Sequence, residues 1–515
     1  MRKTTITWAI CLSVSLTSLF EANAAPVAVH TRSGDLVGDS LAAGGGVFKG
    51  IPYAAAPIGT LRWQSPQPVA AWQGSREATA YGAACEQPAQ GWNDSLLASM
   101  NEDCLYLNVW TPAIGPKGRL PVMVWIHGGA FVGGAGTDPL FAGGELVKKG
   151  VILVTLNYRL GIFGFYAHPD LSRSSVHHSS GNFALEDQMA ALQWVRDNIA
   201  AFGGDAENIT IFGQSAGGMS AVSLLVSPLT EGKFQRVIVE SGAILAGPPL
   251  KRLKDAEISG TEFLGADSLQ SLRDLPATEL LKRFGLFMST HRESRLGPII
   301  DGYVLSEDPS EAFRLHHEHK VPLIIGNNAR EGFGRLSEDV LPSAIRQFYG
   351  GDAAVALSMY SVPDPVLGSP AAQWLTDTSF RCSAVVIAER HAAGGAPVYS
   401  YQFEQSIPGR EGDGAAHSYE LPYVFGNLLP AGALAGPFGA ADRQLSEVML
   451  SFWTQFAKRG DPNGAGLLAW PAFIAPAGVY MRFSSALPHD AQTAEGLRRS
   501  QCELFEAKLA KAALP

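Results

Sequence analysis

The chain has 515 residues, 46% of them hydrophobic and 17% charged, and this balance excludes a disordered protein. Its formal net charge is −9 (39 basic against 48 acidic residues), so there is no basic excess to neutralise phosphates, and nucleic acid is excluded as a partner. Glycine is abundant at 56 residues and concentrates in tight-turn motifs.

The first segment has the features of a secretory signal. Arg2 and Lys3 make a basic start, and residues 6–20 form an apolar run too short and too rich in Ser and Thr to span a bilayer. Ala22, Asn23 and Ala24 then supply a small-x-small cleavage site near Ala24. The alternative is an N-terminal anchor helix. Cleavage of residues 1–24 removes Arg2, Lys3 and Glu21 and leaves 37 basic and 47 acidic residues, net −10. No later stretch approaches the ~18 continuous apolar residues of a membrane span, so no stable membrane insertion is expected. A secreted or periplasmic location follows, and it permits disulfides. Cys85, Cys104, Cys382 and Cys502 then remain, and they allow three connectivities. No pair has metal-knuckle spacing, so no metal is expected.

Further along, apolar β-branched runs alternate with helical patterns. Residues 121–126 (PVMVWI) and 151–156 (VILVTL) predict strands, and residues 182–202 show helical spacing through Leu185, Met189, Leu192, Val195 and Ile199. Strands are predicted again at 208–212 and 236–240, with a helix starting over 218–226. This alternation predicts a large, mostly parallel sheet covered by helices on both faces. Residues 250–295 and 335–380 are more helical and polar. They are expected to cap the sheet as insertions, with residues 25–515 forming one domain.

The chemistry concentrates at turns after strands. Gly213-Gln214-Ser215-Ala216-Gly217-Gly218 stands between a strand and a helix. A serine in this context is a nucleophile held on a sharp turn, with the helix N-terminus aimed at the reacting centre. His127-Gly128-Gly129-Ala130-Phe131 follows the strand at 121–126. Small residues there let backbone N–H groups approach a developing oxyanion, and Gly129, Ala130 and Ala216 are the expected donors. His127 precedes the nucleophile, the wrong order for a base, and is expected to orient this loop. In the chain order Ser, acid, His, the loop 326–332 at the end of strand 321–325 offers Glu331. Of the later histidines, His391 ends a helical pattern and His489 lies in a polar tail. His417 sits in a glycine-rich loop after the strand at 398–403 and is the expected base. His316, His317 and His319 are expected to form an exposed polar patch. The chemistry needs no cofactor.

These motifs closely resemble the type-B carboxylesterases, the cholinesterase-like and para-nitrobenzyl-esterase-like branch of the α/β-hydrolases. The matching stretches include FKGIPYAAAPIGTLRW (48–63), NEDCLYLNVW (101–110), NYRLGIFGF (157–165), GQSAGG (213–218) and HSYELPYVFG (417–426), and the likeness covers nearly all the mature chain. The resemblance implies an α/β-hydrolase fold and a triad of Ser215, Glu331 and His417. It also implies a supporting serine, Ser241, near the acid and base. It implies the pairings Cys85–Cys104 and Cys382–Cys502, closing loops of about 19 and about 120 residues. Family members commonly carry Glu before the nucleophile, where this chain has Gln214. That weakens the case for cationic choline esters, although Trp92 lies near the place of the cholinesterases' cation-binding tryptophan. The expected activity is hydrolysis of neutral hydrophobic carboxylic esters through an acyl-enzyme. The alternatives are a non-catalytic adhesion protein, disfavoured by the complete triad, and a specialist on one xenobiotic, toxin or aromatic ester. The partner is then a small-molecule ester; the sequence assigns no oligomeric state.

Overall fold

The computed structural model describes residues 26–42, 44–115, 118–242, 244–245, 250–332 and 336–512. The signal segment, residues 1–24, lies outside them.

Among the described residues, thirteen strands form one sheet. They are β1 (Pro26–Thr31), β2 (Gly34–Ser40), β3 (Gly46–Pro52), β4 (Ser75–Glu77), β5 (Tyr106–Thr111), β6 (Leu120–Ile126), β7 (Ile152–Leu156), β8 (Gly204–Gln214), β9 (Arg236–Glu240), β10 (Leu323–Asn328), β11 (Val398–Phe403), β12 (Val479–Phe483) and β13 (Ala491–Glu495). The order is β1-β2-β3-β5-β7-β6-β8-β9-β10-β11-β12-β13, with β4 paired to β2. The central run from β7 to β12 is parallel, as the alternating pattern predicts. Both ends of this order are antiparallel, and β4 joins β2 in parallel.

The longer helices are α1 (Phe183–Asn198), α2 (Ala216–Val226), α3 (Leu253–Leu264), α4 (Ala277–Thr290), α5 (Cys382–Ala393), α6 (Ala440–Arg459) and α7 (Arg499–Ala512). Strand side chains alternate between two faces, and the core divides accordingly. Val122, Val124, Ile211, Val237 and Ile325 pack with Leu192 of α1, Val222 of α2 and Val386 of α5. Their neighbours Met123, Trp125, Phe212, Ile238 and Ile324 pack on the other face with Met449, Phe452 and Trp453 of α6. Because both faces are covered, the central strands are continuous apolar runs.

The boundaries differ from the sequence expectation in ways that matter for the site. Strand β10 continues through Gly326, Asn327 and Asn328, which the apolar run alone assigned to a loop. Polar residues extend the strand there because β11 continues the ladder through Asn328, while β9 pairs as far as Gly326. Helix α2 starts at Ala216, directly after Ser215. The first insertion folds as α3, α4 and the short helix Leu269–Arg273 around an aromatic cluster; the second forms Leu341–Tyr349, Ala353–Met359 and Pro370–Thr376. Both disulfides have the connectivity implied by the family resemblance: Cys85–Cys104 and Cys382–Cys502.

Candidate active site

The turn at Ser215 is forced by close packing. Ser215 has φ 55° and ψ −124°, outside the regions a serine favours. Glycines make the turn possible. A Cβ on Gly213 would stand 2.5 Å from the Gly217 carbonyl, and one on Gly218 would stand 2.8 Å from the Gly242 Cα. A Cβ on Gly217 would collide with the Ile126 carbonyl oxygen at the end of β6. The Ser215 N–H donates to the Glu240 carbonyl at 2.9 Å, fixing the turn against β9.

Glu331 follows β10 and is 1% exposed. Arg330 turns away from it, donating to the Val366 carbonyl at 2.9 Å, so Glu331 is not a surface carboxylate paired with its neighbour. One oxygen, Oε1, accepts from Ser241 Oγ and from the Asn328 N–H, each at 2.7 Å. The other, Oε2, is 2.6 Å from His417 Nδ1. The histidine loop is stitched to the acid loop twice: His417 N–H donates to the Glu331 carbonyl at 3.1 Å, and Arg330 N–H to Ala415 at 3.0 Å. The Phe380 ring, in a π-helical turn (Asp377–Arg381) just before α5, lies 5.0 Å from the imidazole.

The outer nitrogen of His417, Nε2, is 3.3 Å from the Gln214 amide nitrogen. With Nδ1–H donated to Glu331, Nε2 carries the lone pair and Gln214 donates to it. Gln214 therefore touches the imidazole that a glutamate there would load with negative charge.

The expected oxyanion donors lie on two adjoining turns. Gly129 has φ 113° and Ala130 φ 55°, so this loop is wound in the left-handed region. A Cβ on the preceding Gly128 would stand 3.1 Å from Ser215 Cβ, which places the loop against Ser215. Ala216 opens α2, where N–H groups have no partner within the helix. Among the described residues no protein acceptor takes the N–H of Gly129, Ala130 or Ala216.

His127 stands behind this loop. It is buried, stacked on Tyr158 at 4.4 Å, with Nδ1 at 2.8 Å from the Gly128 carbonyl oxygen. Burial pushes its pKa down to about 4, so it stays neutral and holds the loop. The Cys85–Cys104 segment braces the same loop: Gln87 accepts from the Gly134 N–H at 2.8 Å. Trp92 is 47% exposed, and its ring edge would meet a Cβ on Gly133 at 2.8 Å. The remaining histidines lie elsewhere. His391 is buried and bonded to Glu318 at 2.9 Å. His316 and His317 are exposed, but His319 departs from the expected patch, bonding the Ser227 carbonyl at 2.9 Å.

Sequence reasoning missed the acids behind Glu331 and His417. Glu240 and Glu420 are both fully buried. Glu240 Oε1 accepts from Trp453 Nε1 at 2.7 Å, and Glu420 accepts from the Asn328 amide. Tyr401 lies over Gly326, where any Cβ would run into its ring. The signal was present in the sequence as charged residues inside apolar runs, RVIVESG and HSYELPYVF. Burial, then the neighbouring Glu331, pushes Glu420 up to about 7. Burial likewise pushes Glu240 well above the usual carboxylate range.

Glu420 makes stability depend on pH with a definite sign. From about pH 4.3 to about 7 the folded protein keeps a proton that the unfolded chain has lost, so its stabilising share is present below that window and lost across it. Glu420→Gln should remove a decline of roughly 3 kcal/mol between pH 4.5 and 8. Glu186, also pushed up to about 7 by burial, acts in the same direction, so the difference between variant and wild type is the readout. Urea denaturation at the two pH values measures it; equal slopes in both proteins would contradict the assignment.

A model of the carboxylesterase family matches residues 25–354 and 366–505. The chain belongs to the carboxylesterase family. It is 38% identical over 503 residues to a fumonisin B1 esterase of Sphingopyxis macrogoltabida, with 91% of each chain covered. It is also 38% identical over 447 residues to the para-nitrobenzyl esterase of Bacillus subtilis (strain 168), covering 83% of this chain and 88% of that one. Among solved structures, a thermophilic PNB esterase superposes with a TM-score of 0.81 at 34% identity, over 93% of this chain and 99% of the other. The fold is thus that of the α/β-hydrolases, and this member of the family is a carboxylic ester hydrolase.

Proposed function

We propose that this carboxylesterase hydrolyses neutral, hydrophobic esters through a covalent acyl-enzyme on Ser215. The observation that carries the reading is the 2.6 Å bond between Glu331 and His417, beside a serine held in a strained turn. His417 Nε2 takes the Ser215 proton as Oγ attacks the carbonyl carbon. The N–H groups of Gly129, Ala130 and Ala216 stabilise the oxyanion. Collapse breaks the ester C–O bond, and His417 returns the proton to the departing alcohol. Water, deprotonated by His417, then attacks the acyl carbon and releases the acid and free Ser215. Glu331 holds the imidazole with its proton on Nδ1 and stabilises the imidazolium; Ser241 and the Asn328 N–H hold Glu331 in turn. No step uses a metal or organic cofactor.

Export to the periplasm or beyond the cell is part of this reading. It is supported by the N-terminal sequence pattern and two disulfides; no helix among the described residues is long and apolar enough to cross a membrane.

Gln214 sets the charge preference. A carboxylate there, at about 6 Å from a bound cation and an effective dielectric of ~20, would be worth roughly 3 kcal/mol before screening. Without it, a cationic leaving group gains little over a neutral one of the same shape. At moderate salt, kcat/KM for butyrylcholine should not exceed that for 3,3-dimethylbutyl butyrate. A tenfold preference for the choline ester would overturn the argument and point to the exposed face of Trp92. A panel varying acyl length and alcohol bulk, with para-nitrobenzyl esters and fumonisin B1 included, tests breadth against specialisation.

A further inference from the structure

The loop that carries the expected oxyanion donors Gly129 and Ala130 is held from a segment distant in sequence. Its turn closes on itself: the N–H groups of Val132 and Gly133 both donate to the Gly129 carbonyl at 3.0 Å. In the middle, the Phe131 carbonyl accepts from the Gly161 N–H at 2.7 Å. The exit of the loop meets its entry at Gly134, where a Cβ would stand 2.6 Å from the Gly128 carbonyl oxygen and 2.6 Å from His127 Nδ1. Gly134 has φ 104°, so close approach and backbone both call for glycine there. A shift of Gly134 therefore shifts the Gly128 peptide packed against it, and with it the N–H groups that follow.

Gln87 holds Gly134 in place. Its side chain is 1% exposed and comes from the segment closed by the Cys85–Cys104 disulfide. The Gly134 N–H donates to Gln87 Oε1 at 2.8 Å, and Gln87 Nε2 donates back to the Gly134 carbonyl at 3.1 Å. This two-point exchange is the one a neighbouring antiparallel strand would make, and it fixes the direction of both Gly134 peptides as well as their distance. The other two bonds of the amide stay within its own segment. Nε2 also donates to the Cys85 carbonyl at 3.0 Å, and Oε1 also accepts from Asn93 Nδ2 at 2.8 Å. Both donors and both lone pairs are thus used. Asn93 is itself held, with Nδ2 on the Pro88 carbonyl at 3.0 Å and Oδ1 accepting from the Gln90 N–H at 2.8 Å. The same segment lays the Trp92 ring edge over the turn, 3.0 Å from where a Cβ on Gly129 would stand.

We propose that Gln87 is a positioning residue for ester hydrolysis: its amide, anchored at Cys85, orients the N–H groups of Gly129 and Ala130 toward the oxyanion of the tetrahedral intermediate. Gln87 acts through Gly134 and does not touch the substrate. The inference rests on the proposed acyl-enzyme mechanism. The oxyanion forms only once Ser215 attacks, so its donors strengthen the transition state and contribute little to the bound ester. Loss of Gln87 therefore lowers kcat and leaves KM nearly unchanged. Removing one donor outright costs about 10²–10³ in kcat, and two donors displaced on a loop still held at Phe131 lose a part of that.

The test is steady-state hydrolysis of para-nitrophenyl butyrate by Gln87→Met and Gln87→Asn, with kcat referred to sites titrated by diethyl para-nitrophenyl phosphate. That reagent phosphorylates the reacting serine and releases one para-nitrophenol per site. Titration separates slower turnover from a smaller folded fraction, which is all that a purely structural role would change. Gln87→Met keeps the length and lacks every hydrogen bond; its kcat per site should fall about tenfold or more, with KM within about twofold. Gln87→Asn keeps the amide but draws it back from Gly134 by one methylene, and its kcat per site should fall about threefold or more. A trifluoromethyl ketone, which adds Ser215 and forms an oxyanion, should lose affinity for Gln87→Met by about the factor lost in kcat, while its methyl ketone counterpart should not. A kcat per site within threefold of wild type for Gln87→Met, a loss expressed mainly in KM, or an equal loss for both ketones would overturn the proposal. If Gln87→Met yields no titratable sites, the same criteria applied to Gln87→Asn decide it, with unchanged kcat as the contrary result. Phosphorylation on a side chain other than Ser215, read by peptide mass spectrometry, would instead overturn the acyl-enzyme reading.

Discussion

Replacing Ser215 by alanine is expected to lower kcat for ester hydrolysis by roughly 10⁴–10⁶, with the fold retained. The magnitude follows from the triad acting as a unit. Without the hydroxyl there is no acyl acceptor, and what survives comes from the oxyanion donors and substrate binding alone. The turn itself should persist, because it is set by glycine contacts and by the Ser215 N–H to Glu240, neither of which uses the side chain. Relief of the hydroxyl's environment costs little, since Ser215 is 8% exposed and its Oγ is not needed to hold another group. Steady-state kinetics with a para-nitrophenyl ester, alongside circular dichroism, checks both halves. More than about a tenth of the wild-type rate would remove Ser215 from the mechanism.

Glu331→Gln should cost on the order of 10³–10⁴ in kcat with little change in stability. The substitution is isosteric, and the amide oxygen can keep the bonds from Ser241 and the Asn328 N–H. The amide NH₂ then faces His417 Nδ1 and donates where the carboxylate accepted. That moves the imidazole proton to Nε2, the nitrogen that must receive the serine proton. It also removes the charge that stabilises the imidazolium. Activity within tenfold of wild type would show that Glu331 is a structural carboxylate. A loss accompanied by unfolding would be a different result, and thermal denaturation separates the two.

Much of this site was legible because it is built from turns. Gly213 to Gly218 and His127 to Phe131 each follow an apolar strand, and sterics demand small residues at those positions, so sequence and geometry carry the same constraint. Glu331 was chosen by its place after a strand, and the strand continues three residues past its apolar part. Partners set by lateral register in the sheet were not legible. Glu240, Gly326 and Tyr401 stand side by side on β9, β10 and β11 but are more than seventy residues apart in sequence from one to the next. Thr376, whose hydroxyl accepts the Glu331 N–H at 3.1 Å, comes from the second insertion and carries no motif. The antiparallel edges escaped for a simpler reason. Strands such as β2 and β13 are half-exposed and polar, so they lack the continuous apolar signature of the covered centre. The cysteine pairing came from family likeness alone, since four cysteines leave three choices open.

The acyl-enzyme is the claim on which the rest depends. The direct measurement is rapid-quench peptide mass spectrometry during steady-state turnover of para-nitrophenyl butyrate. The peptide holding Ser215 should gain the mass of one butyryl group, at a stoichiometry matching the pre-steady-state burst of para-nitrophenol. Turnover with no label on that peptide, or with the label on another side chain, would contradict the mechanism.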